Sequence, residues 1–489
     1  MWPDHILSLV EPHLFGDAVA VRDQDGQLTY AELADLSART AAALVDAGVA
    51  EGEPVLLHTR LSRWAIVGML GALRAGACYV PVDAAFPVSR QRQYADAAGA
   101  RVVLTEPGLS PVRPEPAAID LTSPPTRRAA RPGRLAYTCF TSGSTGTPKP
   151  VTISAAALAY STAARLRYYR DPVGGFLLCS SISFDSSVAG IYWTLACGGT
   201  ILIPSVRPGD LVALGRAARA YRPTHLLLVP SLYAVALRGG LADDLRSLRT
   251  VVVAGEACPP GLVGDHFAQL PGTRMFNEYG PTECTVWCTV HECIPEDAGE
   301  RSVPIGHPIP GTRVALADGV LHVHGPGLAE PDTVPRTTLD GHAFYRTGDL
   351  VTHRADGALL YHGRGDDQLK LGGMRIERAE VEHALTGAPG IAYAAVGVAD
   401  GRLVGYVVAT DLGGEVDRRA VRRHLLDALP AAALPLRLII LDELPLLPNG
   451  KIDHADLDRH AAQLVCRDTP GWVGRSHVDG QQGRAPRPA

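Results

Sequence analysis

The densest run of potential chemistry in the chain is Leu135–Pro150, LAYTCFTSGSTGTPKP. It opens on a β-prone apolar stretch, Leu135 to Phe140, that reads as a buried strand. It then breaks into Thr141, Ser142, Gly143, Ser144, Thr145, Gly146 and Thr147, and closes on Pro148 and Lys149. The glycines let the backbone turn tightly and come close to a ligand. The hydroxyls, and the free N–H groups between them, can surround anionic oxygens. Lys149 adds a point charge suited to phosphate. The stretch therefore reads as a loop that holds the polyphosphate of a nucleotide. It is not the GxxxxGK[ST] loop, because Thr147 and Pro148 separate Gly146 from Lys149 and Pro148 blocks an immediate helix.

Three further stretches offer matching chemistry. In Asn277–Glu283, NEYGPTE, Gly280 and Pro281 force a turn. Tyr279 presents a flat face for adenine, and Asn277 can read an amino group on its edge. Glu283 is a hard oxygen ligand that suits Mg²⁺ bridging phosphates. Asp349, directly after Gly348, can accept protons from two ribose hydroxyls at once. Lys451 lies in the turn Asn449-Gly450-Lys451, which on its own is an ordinary solvated charge.

The elements that must position these residues follow from length and periodicity. At 489 residues the chain exceeds one ordinary core, so two or more domains are expected. A composition of 46% apolar and 20% charged residues is that of a soluble globular protein. A net charge of −5 gives no basic footprint, which argues against nucleic acid as a partner. No apolar run reaches the length of a membrane span, and the N-terminus lacks the pattern of a secretory signal, so a cytoplasmic enzyme is expected. The nine cysteines are scattered and read as buried thiols; Cys284, Cys288 and Cys293 cluster but lack a CxxC pair, which argues against zinc.

Thr29 and Glu32 have capping-box spacing before a helical recurrence of leucines that Gly48 stops. Helix then alternates with strand to about residue 300, with strands near Val102–Leu104, Phe176–Ser180, Thr200–Ile203, His225–Val229 and Val251–Ala254. That alternation predicts an α/β fold with largely parallel sheets flanked by helices. Ligands then gather beyond the carboxyl ends of the strands, where the Thr141 loop, the Ala254-Gly255-Glu256 turn and Asn277–Glu283 all fall. Pro107–Pro132 reads as an exposed connector, and Arg313–Tyr361 as a small β-rich subdomain. A small α+β domain follows, with helices at Glu377–Leu385 and Glu415–Leu429. The expected division is a large N-terminal domain over 1–365, a small mobile C-terminal domain over 366–465 and a disordered tail over 466–489.

Eight stretches in order resemble the motifs of the adenylate-forming superfamily, which includes acyl-CoA ligases, luciferases and the adenylation domains of nonribosomal peptide synthetases. They are LTYAEL at Leu28, LRAGACYVPVD at Leu73, the Thr141 loop, FDSS at Phe184, NEYGPTE at Asn277, YRTGDL at Tyr345, GRGDDQLKLGGMRIERAEVE at Gly363 and NGKIDH at Asn449. Pro150 departs from the pattern, standing where that family usually has glycine.

The resemblance implies roles for these residues. ATP would be held by the Thr141–Gly146 loop and Lys149, with Tyr279 stacking on adenine against Gly255, Glu256 and Ala257, and Asn277 at its edge. Asp349 with Arg364 would clamp the ribose, Thr282 would touch the α-phosphate, and Glu283 would hold Mg²⁺. Lys451 would be the catalytic lysine, bridging two anions that must meet. Asp366 would be the hinge on which the small domain turns, removing Lys451 and presenting Gly372-Gly373 to an entering thiol.

Asp185 in FDSS points to the amino-acid-activating branch, where it binds the substrate's α-ammonium. The implied pocket is Asp185, Ser186, Ala189, Leu227, Val252, Ala254, Glu278, Val286, Trp287 and Lys451. Small residues at 186, 189 and 254 suggest a deep cavity with apolar walls. Glu278 is the one ionisable group there besides the two anchors, and it is expected to accept a phenolic hydroxyl. L-tyrosine or a related aromatic amino acid is the expected substrate, with tryptophan or a long basic side chain open. Nothing after Lys451 resembles a carrier domain, so a freestanding enzyme loading a separate peptidyl carrier protein is expected, with an MbtH-like helper compatible with Ala431-Ala432-Ala433. The rival readings are an acyl- or aryl-CoA ligase on the same fold and a non-catalytic nucleotide-binding protein.

Overall fold

The computed structural model describes residues 2–112, 117–121, 131–141, 148–365, 368–371, 374–399, 401–410, 416–445 and 452–465. The chain divides into two compact units, with the boundary at residue 366. In the first, two large sheets carry the α/β architecture. One has six strands in the spatial order Ala117–Asp120, Val102–Thr105, Pro54–Thr59, Cys78–Asp83, Leu135–Thr141 and Lys149–Ser154. All neighbours are parallel except the last pair.

The other has nine strands, and its centre is the parallel series Arg274–Tyr279, Thr250–Ala254, His225–Leu228, Gly175–Leu177, Thr200–Leu202 and Val19–Asp23. The inner strands, Thr250–Ala254, His225–Leu228, Gly175–Leu177 and Thr200–Leu202, are largely apolar, as suits strands buried on both faces. Leu226, Leu228, Val251, Val253 and Met275 pack on one face. Leu227, Val252 and Phe276 pack on the other, together with Trp193, Tyr169 and Trp287. A third, five-stranded sheet spans Arg313 to Arg364 and is the expected β-rich subdomain.

The helix Tyr30–Asp46 begins at the expected capping box, with Thr29 Oγ1 accepting from Glu32 N at 3.2 Å and Glu32 Oε2 accepting from Thr29 N at 2.8 Å. Eight described cysteines are free thiols, all buried except the half-buried Cys197. Cys293 is drawn to His291 and Asp297, whose ligand atoms all lie within 4.8 Å of its sulfur and of each other. Among the described residues no helix is long and apolar enough to cross a membrane.

Two expectations need correction. The proline-rich stretch 107–132 is more than a connector, because Ala117–Asp120 is the edge strand of the six-stranded sheet, paired in parallel with Val102–Thr105. Four residues between prolines were too few for a pattern to show. The second unit holds a third helix, His454–Val465, beside Arg378–Thr386 and Arg418–Ala428 and the three-stranded sheet Ile391–Ala399, Arg402–Ala409 and Arg437–Leu441. Its buried residues Leu457 and Ala461 have helical spacing, and Asp458 ties it to Arg378 (2.9 and 3.1 Å) and to Val398 N (2.7 Å).

Pro150 is explained by its place. The strand Lys149–Ser154 is the sheet's edge, and Thr152 turns its N–H outward to Thr333 Oγ1 at 3.2 Å. Pro150, two residues earlier, has the same orientation, so its missing N–H costs the ladder nothing.

The helix Asp185–Ala196 lies directly on the second sheet because Gly190 has no side chain: a Cβ there would sit 2.3 Å from the Phe176 ring. Gly190→Ala should lift this helix or displace that ring, lowering stability by about 1–3 kcal/mol in denaturant unfolding. Wild-type stability in this variant would show that the contact is slack.

Candidate active site

The sheet register places the site. Leu227, Val252 and Phe276 are aligned across three parallel strands, and Ala254 is aligned with Glu278 one pleat further on. Aligned residues of parallel strands point to the same face. All five therefore lie on one face of the sheet, where Phe276 packs on Tyr169 at 4.8 Å and Tyr169 on Trp193 of the helix Asp185–Ala196 at 4.5 Å. Along that helix Asp185, Ala189 and Trp193 recur at four-residue intervals and share one side. Asp185 and Ser186 are half-buried, while Ala189 and Trp193 are buried. Trp193 lies one turn beyond Ala189 and is buried.

Asp185 stands in the helix's first turn. Loss of water around it pushes its carboxyl up from the ordinary 3.8 to about 6. A hydrogen bond from Thr282 opposes the shift, and the nearby charge of Glu283 adds to it. Among the described residues no cation is paired with Asp185.

Glu278 is different, and here the expected role must be corrected. Its carboxylate is only 2% exposed and is already occupied. Arg165, 1% exposed, donates from Nη1 to Oε1 and from Nη2 to Oε2 (2.8 Å), and Tyr169 donates its hydroxyl to Oε1. A phenol does reach Glu278, but it is the protein's own. The guanidinium lies 4.3 Å from the Trp287 ring centre and 5.6 Å from that of Trp193, within cation–π range. Tyr169 packs on Trp193 at 4.5 Å and on Trp287 at 5.9 Å.

Sequence reading missed Arg165 and Tyr169. The available signal was a charge in Ala155–Tyr168, a helix of small and apolar residues buried almost all round. A buried arginine requires a buried acceptor.

The segment carrying Val286 and Trp287 is held in an unusual backbone. Thr285 (φ 52°) and Val286 (φ 79°) are consecutive β-branched residues in the left-handed region, a conformation that costs on the order of 1–3 kcal/mol each. Four bonds hold them there. Ser161 Oγ donates to Thr285 O (2.8 Å), Thr285 Oγ1 to Gly327 O (2.7 Å), Trp287 Nε1 to Ser161 O (3.3 Å) and Cys288 N to Tyr279 O (2.8 Å). Gly280 permits this closeness, since a Cβ there would meet Trp287 Cα at 2.4 Å. The segment Gly325–Ala329 also helps here, because Ala329 N donates to Glu283 O at 2.9 Å.

On the expected nucleotide side, Asn277 is 1% exposed and donates Nδ2 to Pro304 O at 2.8 Å, while its Oδ1 is buried with no partner among the described residues. An orphaned acceptor fits adenine, whose exocyclic amino group is a donor. Gly255 turns at φ 86° beside Ala257. The Glu256 side chain instead bonds Ser231 N and Oγ (3.0 and 3.1 Å), at the start of the helix Pro230–Arg238, so only its backbone is available as a wall. Tyr279 donates its hydroxyl to Asp349 Oδ2, and Arg364 donates to Oδ1 at 3.1 Å. Asp349 is fully buried, and both of its carboxylate oxygens accept hydrogen bonds, Oδ2 from Tyr279 and Oδ1 from Arg364.

Glu283 is 6% exposed on the short turn Thr282–Cys284. The Glu283 carboxylate is a hard oxygen donor of the kind that fits Mg²⁺. Thr141 and Lys149 face each other in register at the mouth of the hairpin. Ser142, Gly143, Ser144, Thr145, Gly146, Asp366, Gly372, Gly373 and Lys451 lie outside the described residues.

Comparison with known proteins agrees with this arrangement. Residues 11–330 match the AMP-binding enzyme family, and residues 380–451 match the AMP-binding enzyme C-terminal domain. The chain is 36% identical to the AMB antimetabolite synthetase AmbB of Pseudomonas aeruginosa, over 91% of this chain and 38% of AmbB. It is 34% identical to novobiocin biosynthesis protein H of Streptomyces niveus, over 88% of this chain and 78% of that protein. Six other large synthetases are matched over between 6% and 44% of their length. Among solved structures, holo-PA1221, an NRPS protein containing adenylation and PCP domains bound to a vinylsulfonamide inhibitor, superposes with a TM-score of 0.80 at 25% identity, over 94% of this chain and 84% of that one. The protein belongs to the AMP-binding enzyme family of ATP-dependent, AMP-forming ligases, in the branch of the nonribosomal peptide synthetase adenylation domains.

Proposed function

We propose that the protein activates an α-amino acid with ATP and passes it to the phosphopantetheine thiol of a peptidyl carrier protein. An oxygen of the substrate carboxylate attacks the α-phosphorus, the bond to the bridging oxygen of pyrophosphate breaks, and aminoacyl-AMP forms. The thiol then attacks the acyl carbon and AMP leaves. The nucleophile is already ionised, so no general base is required. Mg²⁺ at Glu283 would supply charge neutralisation on the departing pyrophosphate. Lys451 would reach both the carboxylate and the α-phosphate and offset charge developing between them.

The observation that carries the amino acid reading is Asp185. Its carboxyl is held at about 6 by loss of water, and no described cation faces it. A substrate ammonium supplies that cation; fatty and aryl acids have none to offer. The carrier as partner draws support from PA1221, whose structure contains adenylation and PCP domains. An MbtH-like helper remains a further proposal, compatible with the exposed Ala431 and Ala432.

For the side chain, Ser186, Ala189 and Ala254 leave space, and Leu227 and Val252 make it apolar. A neutral aromatic or bulky apolar amino acid fits, with L-tyrosine the first to test. Its hydroxyl would have to share Glu278 with Tyr169.

Pyrophosphate exchange with amino acids and with matched acids lacking the ammonium should proceed only with the former; turnover of the des-amino acids at equal rates would favour a CoA-ligase reading. Lys451→Ala should abolish exchange while ATP binding persists by calorimetry, and ordinary turnover in that variant would remove the role. Asp185 must be ionised to bind an ammonium, so the amino acid KM should rise about tenfold per pH unit below 6, with the ATP KM steady.

A raised carboxyl pKa also destabilises the folded state once the group ionises. The cost is absent below pH 4 and complete above pH 6. Asp185→Asn should therefore gain on the order of 2 kcal/mol at pH 7 in urea unfolding, while losing amino acid activation.

A further inference from the structure

We infer that Arg165 sets the charge selectivity of the amino acid pocket: by neutralising Glu278 from the neighbouring helix, it makes the protein select a substrate with an uncharged side chain. The inference deepens the amino acid reading and rests on it.

Glu278 shares its sheet face with Leu227, Val252, Ala254 and Phe276, opposite the helix that bears Asp185. An isolated carboxylate in such surroundings would demand a cation, and lysine, ornithine or arginine could bring one. Arg165 pre-empts that demand. Two parallel N–H···O bonds reach the two carboxylate oxygens, and the fork is fixed in direction.

The arginine is itself locked. One side of the guanidinium meets Trp287 and another Trp193, and Tyr169 adds a hydroxyl to the same carboxylate oxygen. Both side chains of the ion pair are 1% exposed, so water screens neither. A cationic substrate side chain entering here would lose its water and meet a guanidinium with its counter-charge already used. An anionic one would meet Glu278 in the same state. A neutral side chain pays neither penalty. Arg165 is thus a positioning residue acting through Glu278, on a helix that also reaches the site through Ser161, the anchor of Thr285 and Trp287, and through Tyr168, which packs on Phe276 and Trp287.

The same pair has an asymmetric prediction, which a purely structural role lacks. Without Arg165 the pocket keeps a lone carboxylate, and without the Glu278 charge it keeps a lone guanidinium. Exchange assays on the full chain with isosteric sets (norleucine against lysine, glutamine against glutamate, and aromatic amino acids) test this. The wild type should favour neutral members over charged isosteres by at least 100-fold in kcat/KM. Arg165→Met should raise lysine and ornithine relative to norleucine at least tenfold. Glu278→Gln should raise glutamate relative to glutamine at least tenfold. Arg165→Lys should keep the wild-type order.

Preference of the wild type for a cationic or anionic amino acid would overturn the inference while leaving amino acid activation intact, whether or not any variant folds. So would folded Arg165→Met and Glu278→Gln proteins that keep the wild-type ranking within threefold. Exchange with no amino acid at all would instead refute the underlying functional reading.

Discussion

Two carboxylates, the buried Glu278 and the half-buried Asp185, are treated in opposite ways, and the proposed site follows from that contrast. Glu278 has its charge met inside the protein by Arg165 and Tyr169. Asp185, in the first turn of its helix, has a threonine hydroxyl and another acidic residue for company. Burying a charge without a partner is costly, and the cost falls when a cation arrives. The fold settles the Glu278 charge in advance and leaves Asp185 with no cation among the described residues; under the proposed function that cation is the substrate's ammonium.

That division depends on backbone that other residues hold in place. Thr285 and Val286 sit in a left-handed conformation that β-branched side chains disfavour. They are held by Ser161, which comes from the same helix as Arg165, and by Gly327. Gly280 lets the preceding turn pass against Trp287 without a clash. Gly190 does the same for the Asp185 helix on Phe176. These close approaches bring two helices and three strand ends together with little slack, and strain at such a place is commonly retained for function. The nucleotide side shows the same economy, with Asn277 leaving one buried acceptor unmatched and Tyr279 and Asp349 already joined by a hydrogen bond.

Much of this was legible in the chain itself. Strands buried on both faces read as continuous apolar runs, so the parallel series from Phe176 to Val253 could be placed to within a few residues. Thr29 and Glu32 announced a helix start because a capping box is a local device. Acidic, hydroxyl and glycine residues in order marked the stretches where a nucleotide would meet the sheet. Each of these signals lies within a few neighbouring residues.

What the tertiary structure alone decided was which charges meet. Arg165 and Glu278 are 113 positions apart and become partners only when helix and strand pack. Read along the chain, Glu278 was a free carboxylate waiting for a substrate's hydroxyl; in space, a tyrosine from the Arg165 helix already supplies one. Pro150 likewise looked like a fault in a motif until its place on a sheet edge showed that its absent N–H faced outward. Periodicity and local chemistry are written in sequence because they act over a few residues. Compensation of a buried charge depends on distance through the folded interior, and no local pattern encodes it.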